Sequence, residues 1–436
     1  MITRIEISGF KTFTEFSVDL APLTVIVGAN ASGKSNFMDA LEVLGSLAAG
    51  EGLRHRRSLV DELFTKYGPE KAADTIVIVA ELLVPKVHDS IPLETNRLRY
   101  ELTIQRYTSA QKDRLEITHE SLSPIIMTND RWVEKHLDVK MAADWLVLNS
   151  IVTENYINYS SSGELNQNDS RTYVRQNNGI VMPLVAVATN DPHILAVREN
   201  LMQLSVTNLA APENFSNYQN EQAPPNAILR TLQQAKQTDP AGLNIIRLRA
   251  FPIAKNLSNI DVLTDDFKRT SVIATDNKGV QFLAKNLSEG VLRAISLATF
   301  LIREGETQTL LLEEPETGID PREINQVARL LIDLTTDFTE FDGEYRQVVF
   351  TTHSTHLLRV LMKYKKLINI TALFTVQSHL AGGKYRELGP VTRTRMDRIY
   401  HKKELETTDD PLAHITLKRV SEYLKGAANL NSLSNA

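Results

Sequence analysis

No cysteine occurs in the 436 residues, which excludes disulfides, thiolate metal sites and thiol nucleophiles and fits a reducing compartment. No run of about 18 apolar residues occurs either, so no membrane-spanning helix and no membrane partner are expected. The N-terminus, MITRIEISGF, has neither a basic leader nor an apolar core; its alternation reads as a strand and not as a signal peptide. These absences predict a cytoplasmic protein. An excess of positive charge is missing as well. The formal net charge of -5 argues against coating nucleic acid by bulk attraction, which needs clustered Lys and Arg. One local cluster, Arg54, His55, Arg56 and Arg57, is read first as a solvated face. There is no repeat of fixed period and no sustained heptad pattern, which argues against long coiled-coil arms. What is present is ordinary: 42% hydrophobic residues, enough for two or three compact units.

The chain opens with alternating Ile2, Ile5, Ile7 and Phe10, then Phe16, Val18 and Leu20, and then runs apolar through Leu23, Val25, Ile26 and Val27. This predicts short strands leading into a buried one. A glycine-rich turn follows, and from Ser35 to Leu47 the residues Phe37, Met38, Leu41, Leu44 and Leu47 recur at helical spacing. Strands are predicted over Thr75 to Leu83, Leu98 to Arg106 and Arg114 to Leu122 as an antiparallel sheet. Asn149 to Asn178 is polar and reads as a loop or weak hairpin. Helices are predicted over Pro192 to Val206 and Ala227 to Gln237, with strands near Ile260 and Val272. An α/β pattern closes this part: a helix from Ser288 to Ile302, a strand at Thr309 to Leu312, a helix from Pro321 to Leu334 and a strand at Gln347 to Thr351. A hairpin of NITALFTVQ with KYRELGPV and a helix near Leu417 to Lys425 complete the tail.

Four short motifs carry chemistry. Gly28 to Ser35, GANASGKS, matches GxxxxGK[ST]; its glycines let backbone N–H groups wrap a phosphate at a helix N-terminus. Lys34 is placed to bridge β- and γ-phosphates and Ser35 to ligate magnesium, with Asn30 and Asn36 in the same turn. Leu310 to Pro315, LLLEEP, is an apolar strand ending in two carboxylates, one suited to hydrated magnesium and the next to activating water. Asp320 precedes Pro321 at a helix start and has a plain reading as an N-cap. Gln347 to Ser354, QVVFTTHS, ends another buried strand in His353. Leu287 to Gly290, LSEG, opens a helix whose serine and first amides suit an anion.

Taken in order, GANASGKS, LSEG, LLLEEPETGIDP and TTHS resemble the Walker A, signature, Walker B with D-loop, and switch-histidine elements of the ABC ATPase superfamily. The opening ISGFKTF, the form GANASGKSN and the EEPETGIDP element resemble its RecF and structural-maintenance-of-chromosomes branch. Within that branch they are most similar to stand-alone bacterial AAA-family ATPases related to the overcoming-lysogenization-defect nucleases. The resemblance covers about residues 1 to 125 and 280 to 360. It implies an α/β fold: an ABC-type head with a mixed central sheet and an antiparallel β-subdomain, an inserted, mostly helical lobe and a small C-terminal α+β tail. The expected division is 1–125 and 280–370 for the two halves of the head, 126–279 for the insert and 371–436 for the tail.

Carried over residue by residue, the resemblance implies ATP and Mg2+ as cofactors. Gly28, Asn30, Gly33, Lys34, Ser35 and Asn36 would bind nucleotide, Ser35 and Glu313 would hold the metal, and Glu314 would be the catalytic base. Ser288 and Gly290 would contact the γ-phosphate of ATP held by a second subunit, with Asp320 and His353 completing the interface. The implied active form is a head-to-tail homodimer or higher oligomer. Glu313 stands where the superfamily more often has Asp. The Q-loop glutamine stays open among Gln105, Gln111 and Gln176. The tail shows no Asp-x-Asp pair of a toprim nuclease, so a separately encoded effector or nuclease, or nucleic acid, is the expected partner in DNA repair or anti-phage defence. A scaffold that uses ATP only to assemble is the alternative reading; a transporter subunit is disfavoured by the long stretch between Ser35 and Leu287.

Overall fold

The computed structural model describes residues 1–51, 60–68, 71–107, 114–148, 156–160, 183–187, 189–216, 227–238, 240–266, 269–303, 307–364, 370–380, 391–399 and 417–424. Arg54 to Arg57, Gln111, Gln176 and most of 149–178 lie outside them.

The strand Leu23–Gly28 is buried at every position, as a strand between two parallel neighbours should be. It lies in a six-stranded sheet whose order is Val206–Thr207, Thr307–Glu313, Tyr345–Thr352, Leu23–Gly28, Ile370–Leu380 and Val391–Arg398. All pairings are parallel except the last, so the sheet is mixed. Side chains alternate across it with the period of two that a strand imposes. Leu23, Val25, Val27, Leu310, Leu312, Val348 and Phe350 enter one core, shared with the helices Glu289–Phe300 and Ile324–Asp333. Ile26, Leu311 and Val349 enter the other, shared with the helix Lys34–Ala48.

That second core is closed by an antiparallel sheet ordered Phe16–Asp19, Ile2–Ser8, Thr75–Leu83, Arg97–Tyr107, Arg114–Pro124 and Ile157–Ser160. The helix Lys34–Ala48 is thus packed between two sheets, with Phe37, Met38, Leu41, Leu44 and Leu47 buried at its helical spacing. Gly9, at φ 76°, turns the chain inside ISGFKTF, where a Cβ would collide with the carbonyl of Thr75. Behind the antiparallel sheet, Arg97 is buried against Asp130, which caps the helix Arg131–His136.

The expected α/β architecture is present, with local differences. The helix from Pro192 ends at Met202, because Val206–Thr207 has become an edge strand beside Thr307–Glu313. The helix expected from Pro321 starts as a 3-10 turn and becomes α-helical at Ile324. In the C-terminal hairpin, Ile370–Leu380 pairs with Val391–Arg398; of the expected partner KYRELGPV, all but Val391 lies outside the described residues. In that strand Thr394 and Met396 are buried while Arg393 and Arg395 are partly exposed. The hairpin lies beside Leu23–Gly28 in the central sheet. Pro240–Ala250 forms a helix that the apolar spacing did not single out.

Candidate functional site

The phosphate-loop turn is held from behind by the C-terminal hairpin. Ala31 at φ 59° and Gly33 at φ 102° reverse the chain before the helix Lys34–Ala48. Gly33 lacks a side chain for two reasons: its left-handed backbone, and Thr394, whose hydroxyl a Cβ would strike. At Gly28 a Cβ would lie 2.6 Å from Ser32 Oγ and 2.7 Å from the Thr375 carbonyl. Thr394 Oγ1 is 2.6 Å from Thr12 Oγ1, and Asn36 Nδ2 donates to that Thr12 oxygen at 2.9 Å. Asn36 therefore ties the helix start to the ISGFKTF loop.

In front of the turn is a cleft of about 600 Å3 lined by Asn30, Gly33, Lys34, Ser35, Asn36, Arg293, Glu313, Glu314, Thr317 and His353, among others. Lys34 Nζ donates to the carbonyls of Gly28 and Ala29 at 2.9 and 2.8 Å, so its ammonium is folded over the loop. Burial lowers the Lys34 pKa, while the nearby Glu314 and Glu313 pull it up. Glu313 is exposed at the end of its strand, level with Thr351 of the neighbouring one.

Glu314 is the first residue beyond the strand and adopts φ 44°. That conformation costs roughly 1–2 kcal/mol for a residue with a Cβ. Its N–H donates to Thr351 O at 3.0 Å, and its carboxylate meets Thr317 Oγ1 at 3.1 Å and His353 Nε2 at 3.2 Å. Burial and the Lys34 charge lower the His353 pKa, opposed by Glu314 and a hydrogen bond to the Gly28 backbone. His353 in its neutral form can act as a hydrogen-bonding switch at the cleft wall.

Seven of the residues singled out from sequence that contribute side chains or loop backbone to this cleft are Asn30, Gly33, Lys34, Ser35, Asn36, Glu313 and Glu314, with His353 as the eighth; Gly28 contributes its carbonyl to Lys34. Ser288, Gly290 and Asp320 do not line it. Ser288 is the exposed N-cap of the helix Glu289–Phe300, and its side chain caps no amide. Gly290 packs on Gly318, whose carbonyl a Cβ would strike, so the LSEG turn and the segment after Glu314 touch directly. Asp320 caps the next turn through Arg322 N, and its ion pair with Arg322 holds its pKa down at about 2.

Arg293 was not anticipated. Its guanidinium lies 3.3 Å from Glu314 O, 3.5 Å from Glu313 O and 2.6 Å from Glu289 Oε1. A basic residue within the otherwise apolar VLRAISLATF helix was the available signal, since a nearly buried arginine must find acceptors.

A glycine-rich turn between a parallel strand and a helix, paired carboxylates on the adjacent strand and a histidine on the next define a P-loop site of the ABC type. Residues 1–173 match a family model described as "AAA ATPase domain". Residues 183–359 match one described as "AAA domain, putative AbiEii toxin, Type IV TA system". Over those two stretches the chain is similar to AAA ATPase-domain families. A chromosome partition protein Smc from Rhodopirellula baltica is 39% identical over 84 residues, 18% of this chain and 7% of that protein's length. Among solved structures, an SMC head bound to the C-winged helix domain of ScpA is similar at 14% identity and TM-score 0.48, over 91% of this chain and 98% of that one. An SMC head from Pyrococcus furiosus with the C-terminal domain of ScpA is similar at 12% identity and TM-score 0.47, over 93% and 98%.

Proposed function

We propose that the chain binds and hydrolyses ATP at this cleft, each complete site being formed with a second copy. The observation that carries the reading is the convergence of Lys34, Ser35, Glu313, Glu314 and His353 on one cleft from one helix and the ends of two strands. The loop amides and Lys34 would bind the β- and γ-phosphates; the Lys34 ammonium exchanges two backbone carbonyls for phosphate oxygens when it does. Ser35 and Glu313 fit a magnesium ion, which usually takes one or two protein oxygens with phosphate and water, and when bound it neutralises charge between the phosphates. Glu314 would orient and deprotonate water, and His353, 3.2 Å from its carboxylate, would hold Glu314 and contact the transferred phosphate.

Ser288, Gly290 and Asp320 lie outside the cleft, which supports their serving a partner's nucleotide head to tail. The engine would drive a nucleic-acid-related or effector-controlling process, such as DNA repair or anti-phage defence, with a separately encoded effector. The toxin-system description of the model matching 183–359 and the local likeness to a chromosome partition protein support that setting. We place the protein in the cytoplasm; among the described residues no helix is long and apolar enough to cross a membrane. The division into head halves 1–125 and 280–370, insert 126–279 and tail 371–436 is proposed as the working organisation, with the tail's strands inside the head's sheet.

ATP turnover by the wild type beside Glu314→Gln tests the reading. The wild type should hydrolyse ATP, and the variant should turn over roughly 100-fold more slowly while retaining ATP as a dimer in light scattering. Equal, near-zero rates for both would overturn hydrolysis and leave assembly alone. A wild-type protein that stays monomeric with ATP yet turns over fully would overturn the composite site.

A further inference from the structure

The segment between the acidic strand and Asp320 contains a carboxyl group with no part in the site as described. Glu316 lies two residues beyond Glu314, and its side chain turns inward, away from the cleft lining. Glu316 Oε1 accepts a short hydrogen bond from the hydroxyl of Thr352, the last residue of the switch strand. That hydroxyl in turn accepts from Ser354 N–H at 2.8 Å. Because the Thr352 oxygen is already an acceptor, its proton has one direction left, toward Glu316. The resulting chain, Ser354 N–H to Thr352 O–H to Glu316, closes around the backbone of His353.

The burial is costly. Glu316 Oε2 is buried without a hydrogen-bond partner, and burial, with the Glu314 charge nearby, raises the Glu316 pKa against hydrogen bonds from Thr352 and from the Glu316 and Ser354 backbone. A purely structural filler at this point would be served by a small or apolar side chain, without an orphaned oxygen. The geometry that Glu316 does secure is specific: with Thr352 and Ser354 fixed, His353 Nε2 stands 3.2 Å from Glu314 Oε1.

We propose that Glu316 is a positioning residue that clamps the switch segment to the exit of the acidic strand, and so sets His353 against Glu314. The inference rests on the ATP-hydrolysis reading for its kinetic consequence but not for its geometric one. The carboxylate charge is not needed for the clamp, since only one oxygen is used, so Glu316→Gln keeps the acceptor and Glu316→Ala removes it.

The test combines turnover and hydrogen exchange. Glu316→Ala and Thr352→Val should each lower kcat roughly 10- to 100-fold, with KM for ATP within about threefold, while Glu316→Gln stays near wild type. In a His353→Ala background, Glu316→Ala should cause no further loss, because the group it positions is gone. In the nucleotide-free protein, the Ser354 amide should exchange faster in Glu316→Ala and at the wild-type rate in Glu316→Gln. A full loss from Glu316→Ala on top of His353→Ala, or a raised KM with kcat intact, would overturn the proposal. So would unchanged exchange at Ser354. Should Glu316→Ala fail to fold, Thr352→Val is read in the same way in both backgrounds. If the wild type shows no turnover, the ATPase reading fails by itself and the exchange rates alone decide the clamp.

Discussion

Glu314 concentrates the local conflict of the site: a left-handed backbone, a carboxylate held by Thr317 and His353, and an ammonium in the same cleft. Arg293 supports that geometry by donating to the Glu313 and Glu314 carbonyls, one on each side of the Glu314 Cα. Arg293→Ala should therefore slow ATP turnover roughly tenfold while leaving equilibrium ATP binding within about threefold, as measured by single-turnover kinetics and nucleotide titration. Binding that falls in step with turnover would show that Arg293 instead serves the loop. Gly33 carries the opposite constraint, an absent side chain. Gly33→Ala must accept both the left-handed backbone and the Thr394 hydroxyl, and should lower stability by ~2 kcal/mol in denaturant titration, with ATP binding lost.

At the scale of elements, the short helix Arg131–His136 shows how a six-residue piece is held. Asp130 accepts from Val133 N and is paired with Arg97 at 2.6 Å, with both groups buried. Removing one partner leaves the other charge uncompensated, so Asp130→Ala should destabilise by roughly 3–5 kcal/mol in chemical denaturation. At the far end, His136 Nδ1 lies 2.9 Å from Trp132 O and the two rings stack at 4.8 Å. Burial pushes the His136 pKa down to about 4 from an ordinary 6.5. Between these values the unfolded chain holds a proton that the folded one does not. His136 therefore favours folding fully above pH 6.5, and that contribution is lost as pH falls toward 4, by ~3 kcal/mol at most. Stability measured from pH 7 to 4 should fall less steeply in His136→Phe than in wild type; parallel curves would contradict the assignment.

At the scale of the whole molecule, one sheet separates two hydrophobic cores, and its strand Leu23–Gly28 is flanked by a switch strand from 322 residues later and a hairpin strand from 347 residues later, counted from first residue to first residue (345 − 23 and 370 − 23). Deleting residues 370–436 would strip Ile370–Leu380 from Leu23–Gly28 and remove Thr394 from behind Gly33. The truncated chain is expected to be insoluble or to lose ATP binding, measured by soluble yield and nucleotide titration; a soluble, ATP-binding product would show that the hairpin is dispensable to the head.

The phosphate loop, the acidic strand, the switch strand and the helices Lys34–Ala48, Glu289–Phe300 and Ile324–Asp333 were legible because each is a local pattern. Apolar periodicity marks the element, and glycine or paired acids mark where it ends. The second strand of the tail was not legible: its arginines look polar until a neighbouring sheet shows which face they occupy. Arg293 and Glu316 were missed for a related reason, since the contacts that tie them into the site, to the Glu313 and Glu314 carbonyls and to Thr352, reach 20 or more residues along the chain and no spacing rule links them. By itself the sequence determined which chemical groups the site has and in what order they occur. Only the tertiary structure decided which of them meet, because parallel strands joined by long crossovers set their neighbours through packing across the sheet, which no local pattern encodes.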